Sequence, residues 1–253
     1  MTTTALTLEQ AARTALDEVY DPELDEPITG LGFVRSLEAG PDGRLTVHLR
    51  LPTSFCSPNF AYLMASDAKD VLGRLPGVRE VHVLLDDHHD SDMINRGLAA
   101  DAGYVGTFGP EAQDSLDELR LTFRRKAHTA AMERALTRLL RDRPDLAETD
   151  LCHVVLADLP DAPATHALVR RRAALGLSTA PTAPALVDDH GAPYPAEQIP
   201  VRLRFARSVR ISIDGNAHFC RGLLRTRYPD AAAGQAPRTP DTTRPRTPKG
   251  PTS

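Results

Sequence analysis

The sequence predicts an α/β (α+β) protein: a compact N-terminal domain in the order α-β-β-α-β-α, a long connecting helix, a smaller second α/β region and a disordered tail. Three observations carry this. Leu45, Val47, Leu49 and Leu51 alternate with Arg44, Thr46, His48 and Arg50, the period-two pattern of a half-buried strand. Phe60, Leu63, Met64, Ala68, Val71, Leu72 and Leu75 recur at helical spacing until Pro76-Gly77 stops them. From Ala231 onward no apolar side chain is larger than alanine, so residues 231–253 cannot repay their ordering entropy and are expected to be disordered.

The remaining elements follow in order. Thr7 and Gln10 have capping-box spacing ahead of Leu8, Ala12, Ala15, Leu16 and Val19, which predicts a first helix to about Tyr20, ended by Pro22. Gly32 to Glu38 reads as a strand, and the Gly40-Pro41-Asp42-Gly43 turn joins it to the strand Arg44 to Leu51 as a hairpin. Pro52 to Asn59 is a loop before the next helix. Val78 to Leu85 is a third strand, and Asp90, Ser91 or Asp92 is placed to cap a short helix through Met93 and Leu98. Beyond a glycine-rich connector, Ser115 and Glu118 open an amphipathic connecting helix within 110–143, closed by Pro144. Residues 149–228 then read as a small second α/β unit: a strand near Leu151 to Leu159, a helix near Thr165 to Leu177, strands Val201 to Phe205 and Val209 to Ile213, and a last helix ending by Tyr228.

Composition bounds the function. No stretch approaches the ~20 apolar residues of a membrane span, and the start lacks a basic, then apolar leader, so a cytoplasmic protein without a membrane partner is expected. Cys56, Cys152 and Cys220 are odd in number and far apart, which argues against a disulfide framework. The net charge of −4 hides a basic segment: Val201 to Arg227 holds seven arginines and one acid. Arg202, Arg204, Arg221 and Arg225 are the candidates there for an anionic partner surface. Aromatic residues are only 5% of the chain, too few for base stacking, so nucleic acid is not expected. Arg170-Arg171-Arg172 spans less than one turn and is expected to be a solvated face.

Cys56 is the strongest chemical candidate. A thiol just ahead of a helix meets unpaired backbone N–H groups and the positive end of the dipole, which favour the thiolate that binds metal or attacks. The run Asp86-Asp87-His88-His89-Asp90-Ser91-Asp92 adds imidazole and carboxylate groups suited to iron or zinc, with His88 and His89 as weaker metal candidates. Cys152 lies in an apolar run and reads as core; Cys220, within His218-Phe219-Cys220-Arg221-Gly222, reads as a buried helix cysteine or a second reactive thiol. No Glu-x-x-His pair, Cys-x-x-Cys, phosphate loop or nucleophile elbow is present.

Four segments in register, Asp21-Pro22-Glu23-Leu24, Ile28 to Val34, the loop LPTSFCSPNF and Leu75 to Val83, resemble the successive signatures of the PaaD/SufT-like iron-sulfur assembly family. The resemblance covers about residues 1–103. It implies a compact domain that helps deliver or mature metal-sulfur centres, with iron or an iron-sulfur cluster held transiently. It also implies a client metalloprotein, such as an iron-dependent oxygenase, or other cluster-assembly proteins as partners. Carried onto this chain, the acidic residues are Asp21 with Glu23, and the cluster-associated cysteine is Cys56. The family usually has proline directly after that cysteine, where this chain has Ser57-Pro58. The expected function is therefore a non-enzymatic maturation factor. The alternatives are a thiol enzyme using Cys56 or Cys220 with His48 or His82 as base, and a metal-free adaptor.

Overall fold

Thr7 opens the first helix as its spacing predicts. The Gln10 N–H donates to Thr7 Oγ1 at 3.2 Å and the Thr7 N–H donates to Gln10 Oε1 at 3.0 Å, so two of the donors left unpaired at a helix start satisfy each other's side chains. Helix α1 (Leu8–Leu16) stops short of Tyr20, because the chain there enters a two-residue strand β1 (Tyr20–Asp21) that pairs antiparallel with β2 (Glu26–Pro27). A single turn, α2 (Ile28–Leu31), follows and is ended by Gly32 at φ 82°, a left-handed position that glycine adopts without steric cost. The structure, a computed structural model, describes residues 7–112 and 115–229; the tail expected to be disordered lies outside the described residues.

Strands β3 (Val34–Ala39) and β4 (Arg44–Arg50) form the predicted hairpin, and β5 (Glu80–Asp86) pairs parallel with β4, giving the order β3-β4-β5. A parallel pair needs a long crossover, and α3 (Pro58–Gly73) supplies it, burying Ala61, Met64, Ala65, Ala68 and Leu72 in the same core as Leu45, Val47 and Leu49 of β4. The parallel register Arg50↔Asp86 has a direct consequence: the loops leaving β4 and β5 emerge at the same end of the sheet. Helix α4 (Ser91–Ala99) follows β5. The expected connector is partly helical, as α5 (Gly103–Phe108), because Tyr104 and Phe108 pack on Tyr62 with ring centroids 5.6 Å apart in each case.

The second region is built from helices, and here the strand expectations are corrected. Helix α6 (Leu116–Asp142) is the predicted connector, with Ser115 accepting the Glu118 N–H at 3.1 Å. Leu151 to Leu159 is two 3-10 turns, Glu148–His153 and Leu156–Asp158. Asp150 and Asp158 reach back to the N–H groups of Ala147 and Val155, and the neighbouring segment offers only a lone bridge, Val155 to Pro184. Helix α7 (Pro163–Ala174) matches expectation. The two strands expected over Val201–Phe205 and Val209–Ile213 are instead one helix, α8 (Ile199–Arg227). Its buried residues, Leu203, Ala206, Ile213, Ala217 and Leu224, keep helical spacing, whereas the alternating Val201, Phe205 and Ile211 stay exposed. Among the described residues, the second region therefore has isolated bridges but no strand.

Its core joins Met132, Leu136 and Leu139 of α6 with Leu151, Leu156, Leu168, Ile199 and Leu203. Buried Glu133 of α6 binds Arg207 at 3.3 Å and Arg210 at 2.5 Å, which fastens the first half of α8. The arginine run is not a solvated face: Arg172 is 1% exposed and donates to the carbonyls of Ser178, Pro184 and Ala185, while Arg171 pairs with Asp25 at 2.6 Å. Helix α7 packs against α6, so two of the three arginines meet protein instead of water. Among the described residues no helix is long and apolar enough to cross a membrane.

Candidate functional site

Cys56 lies in the loop leaving β4, one residue before Ser57, the N-cap of α3, and is half-buried against the domain core. Its thiol meets the Thr53 hydroxyl at 3.5 Å. Because β4 and β5 run parallel, the loop leaving β5 lies beside it, and His88 turns inward from that loop. His88 Nε2 donates to the Cys56 carbonyl at 2.8 Å, while its Nδ1 accepts the Asp90 N–H at 3.1 Å, which fixes the tautomer of this buried ring. With both nitrogens committed to backbone, His88 positions the cysteine loop. His89 stays exposed, its ring 5.7 Å from that of Phe55 and its N–H donating to the Ser54 carbonyl at 2.9 Å.

The acids lie in the turn between β1 and β2. Asp21 is buried, and its Oδ1 accepts the N–H groups of Glu23 at 2.9 Å and Leu24 at 2.8 Å, which builds the turn. Burial pushes its pKa up to about 6; the two backbone donors oppose that rise, and the nearby charges of Glu23 and Glu26 add to it. Glu23 is exposed and accepts the Asn216 amide at 3.1 Å. Asp21 also lines a cleft of about 310 Å³ together with Tyr20, Arg120, Arg124, Arg170 and Arg171.

The second half of α8 lies over this end of the domain, a contact that the strand expectation had hidden. Ala217 and Leu224 enter the domain's core, and Cys220 packs against it beside them. Arg227 donates to the Leu51 carbonyl at 3.1 Å, to Ser54 Oγ at 2.7 Å and to the Asp87 carbonyl, so one guanidinium ties the β4 loop to the β5 loop. Tyr228 donates its hydroxyl to Asp87 at 3.1 Å, and the Arg50 guanidinium lies 5.0 Å from the Tyr228 ring centroid. Burial, reinforced by Asp21 and Cys56, pushes the Cys220 thiol up to about 11; Glu23 acts the same way and Arg221 opposes it. Arg227, Tyr228 and Ser54 were missed from sequence, since nothing in their spacing announces a contact across more than 140 residues.

The four candidate arginines do not share a surface. Arg202 stacks over Tyr194 at 4.9 Å and Arg204 is exposed near the start of α8, whereas Arg221 pairs with Glu26 and Arg225 is exposed near its end. Along a helix rising about 1.5 Å per residue, Arg204 and Arg221 are roughly 25 Å apart. The bases of a thiol mechanism are held elsewhere: His48 meets Asp86 at 2.9 Å and His82 meets Glu80 at 2.8 Å. Cys152 belongs to the other core. Among the described residues no three His, Cys, Asp or Glu side chains form a group able to hold a metal ion.

Residues 9–83 match the family described as iron-sulfur cluster assembly protein. Over 79 residues, 31% of this chain, the sequence is 42% identical to an iron-sulfur cluster carrier protein of Mycobacterium tuberculosis, of which it covers 20%. Over 100 residues, 39% of the chain, it is 34% identical to the carrier protein of Mycobacterium leprae, of which it covers 26%. The match thus spans about a quarter or less of these relatives' length. A solved domain of unknown function from Bacillus anthracis, DUF59, aligns over 38% of this chain and 92% of its own, with 25% identity and a TM-score of 0.30. The matched segment runs from α1 into β5 and contains Asp21, Glu23 and Cys56 but neither His88 nor α8; the N-terminal domain of this chain is an iron-sulfur cluster assembly family domain.

Proposed function

We propose that this chain is a non-enzymatic carrier that holds iron or an iron-sulfur cluster transiently at Cys56, with Asp21 and Glu23 at hand, and passes it to a client metalloprotein or another cluster-assembly protein. The observation that carries this reading is a half-exposed thiol held by its backbone. His88 grips the Cys56 carbonyl and Arg227 grips Ser54, while among the described residues the thiol itself has the Thr53 hydroxyl as its hydrogen-bonding contact. A thiolate ligates iron softly, and a buried carboxylate nearby offers a harder oxygen. The non-enzymatic reading is supported by the relatives being carrier proteins for iron-sulfur clusters. The proposed place of action is the cytoplasm, and the proposed client class is an iron-dependent oxygenase.

The test is transfer. The full chain, loaded anaerobically with iron and sulfide, is mixed with an apo iron-sulfur acceptor in the presence of an iron chelator. Protected transfer is expected from the wild-type chain and loss of it from Cys56→Ala; equal transfer by the variant would reject Cys56 as the holding site.

A further inference from the structure

We propose that Cys220 is a second thiol ligand of the site at Cys56, so that a thiophilic metal is held between the family domain and helix α8. This deepens the carrier reading and rests on it. The argument starts from the helix. Asn216, Cys220, Leu224 and Arg227 are spaced four, four and three residues apart, which places them along one stripe of α8. Asn216 at one end of that stripe binds Glu23, and Arg227 at the other binds Ser54 and Leu51. Cys220 is thereby held between the acidic turn and the cysteine loop, with Leu224 buried in the domain core one turn further on.

A second line is independent of the stripe: the Cys220 and Cys56 side chains both pack against the same core cluster. The third thiol, Cys152, belongs to the other core and serves as an internal control. Two thiols converging from different parts of the chain, with no third His, Cys, Asp or Glu completing a cage among the described residues, form an open site. Closed four-ligand sites retain a metal as structure, whereas an open site leaves positions for an incoming ligand. That is the property hand-over requires. Binding a divalent cation releases the two thiol protons to solvent, and the cation's charge offsets the desolvation of the thiolates.

The probe is Cd2+ added to the reduced full chain, read by the ultraviolet thiolate-to-cadmium band, whose intensity grows with the number of bound thiolates. Cys152→Ser is expected to match the wild type, and Cys220→Ser to give about half the band intensity with affinity lowered by roughly tenfold or more. A full band in Cys220→Ser overturns the inference while leaving the carrier reading intact. No band in the wild type overturns the carrier reading itself. A measurement needing no variant guards against misfolding: Cd2+ should protect both Cys56 and Cys220, but not Cys152, from alkylation read by mass spectrometry. Protection of Cys56 alone would contradict a shared site.

Discussion

Two buried carboxylates, Glu133 in the helical region and Asp21 in the assembly domain, are compensated in opposite ways. Glu133 lies beneath Arg207 and Arg210, two opposite charges that offset its desolvation. In the assembly domain, Asp21 is also buried but is met by backbone N–H groups, has Glu23 and Glu26 as its charged neighbours, and carries a raised pKa. A matched buried charge fastens elements together. A buried acid among other acids costs stability at neutral pH, and such a cost is expected where chemistry uses the group. Helix α8 is fastened by Glu133 in one region and reaches the cysteine loop of the other through Arg227.

The largest effect should come from removing the buried Arg172 guanidinium. Arg172→Met leaves the buried Ala185 carbonyl and the partly buried Ser178 and Pro184 carbonyls without their donor, and an unfolding titration should show a loss of about 3–4 kcal/mol. A loss below about 1 kcal/mol would mean that the buried arginine does not fasten the second region. Glu133→Ala should cost less, about 2–3 kcal/mol, because Arg207 and Arg210 are partly exposed and can hydrate once released. By loosening α8 it should also raise the alkylation rate of Cys220, which joins the two regions in one experiment.

A pH series sharpens the comparison. Burial, with Arg172 and Arg171 nearby, lowers the His128 pKa from 6.5 to about 4, and its Nε2 has no hydrogen-bond partner. Between those values the unfolded chain binds a proton that the folded chain refuses, so His128 contributes a fall in stability of up to about 3 kcal/mol as pH drops through this window, while Asp21, raised to about 6, contributes a rise of similar size. Denaturant midpoints of the wild type and His128→Leu measured from pH 7 to pH 4 separate the two: the variant should gain stability relative to the wild type as pH falls. Parallel curves would place the acid sensitivity elsewhere.

Smaller effects belong to the site. His88→Ala should cost about 1–2 kcal/mol and speed alkylation of Cys56, since the loop loses its carbonyl grip. His88→Gln, whose amide can donate to the same carbonyl, should restore the slow rate. Asp21→Asn should stabilise the fold at neutral pH, by about 1–2 kcal/mol, because the amide oxygen still accepts both turn N–H groups while the cost of the buried charge is removed. It should nevertheless weaken Cd2+ binding, and unchanged binding would remove Asp21 from the site.

How much of this was legible depended on whether the signal was local. The Thr7–Gln10 cap and the alternation of β4 are written in neighbouring residues and appear as read, except at Arg50, which was expected on the wet face and is buried. Cys56 and Asp21 were singled out through motif order; the parallel pairing of β4 with β5 puts the Cys56 loop beside the His88 loop, and a short turn holds Asp21. Helix α8 was misread because Val201, Phe205, Val209 and Ile211 alternate as well as any strand. What makes the segment helical is non-local: a carboxylate on α6 and the face of another domain. The inward turn of His88 was hidden for the same reason, since adjacent histidines give no sign of which one a neighbouring carbonyl will capture. The solvated-face expectation for Arg171 and Arg172 failed on contacts that only packing creates.

The most direct test of the account is the iron and acid-labile sulfide bound per chain after anaerobic reconstitution of the wild type and of Cys56→Ser, each confirmed as folded. The account predicts stoichiometric binding by the wild type and near-complete loss in the variant. Equal loading of the two proteins would contradict it.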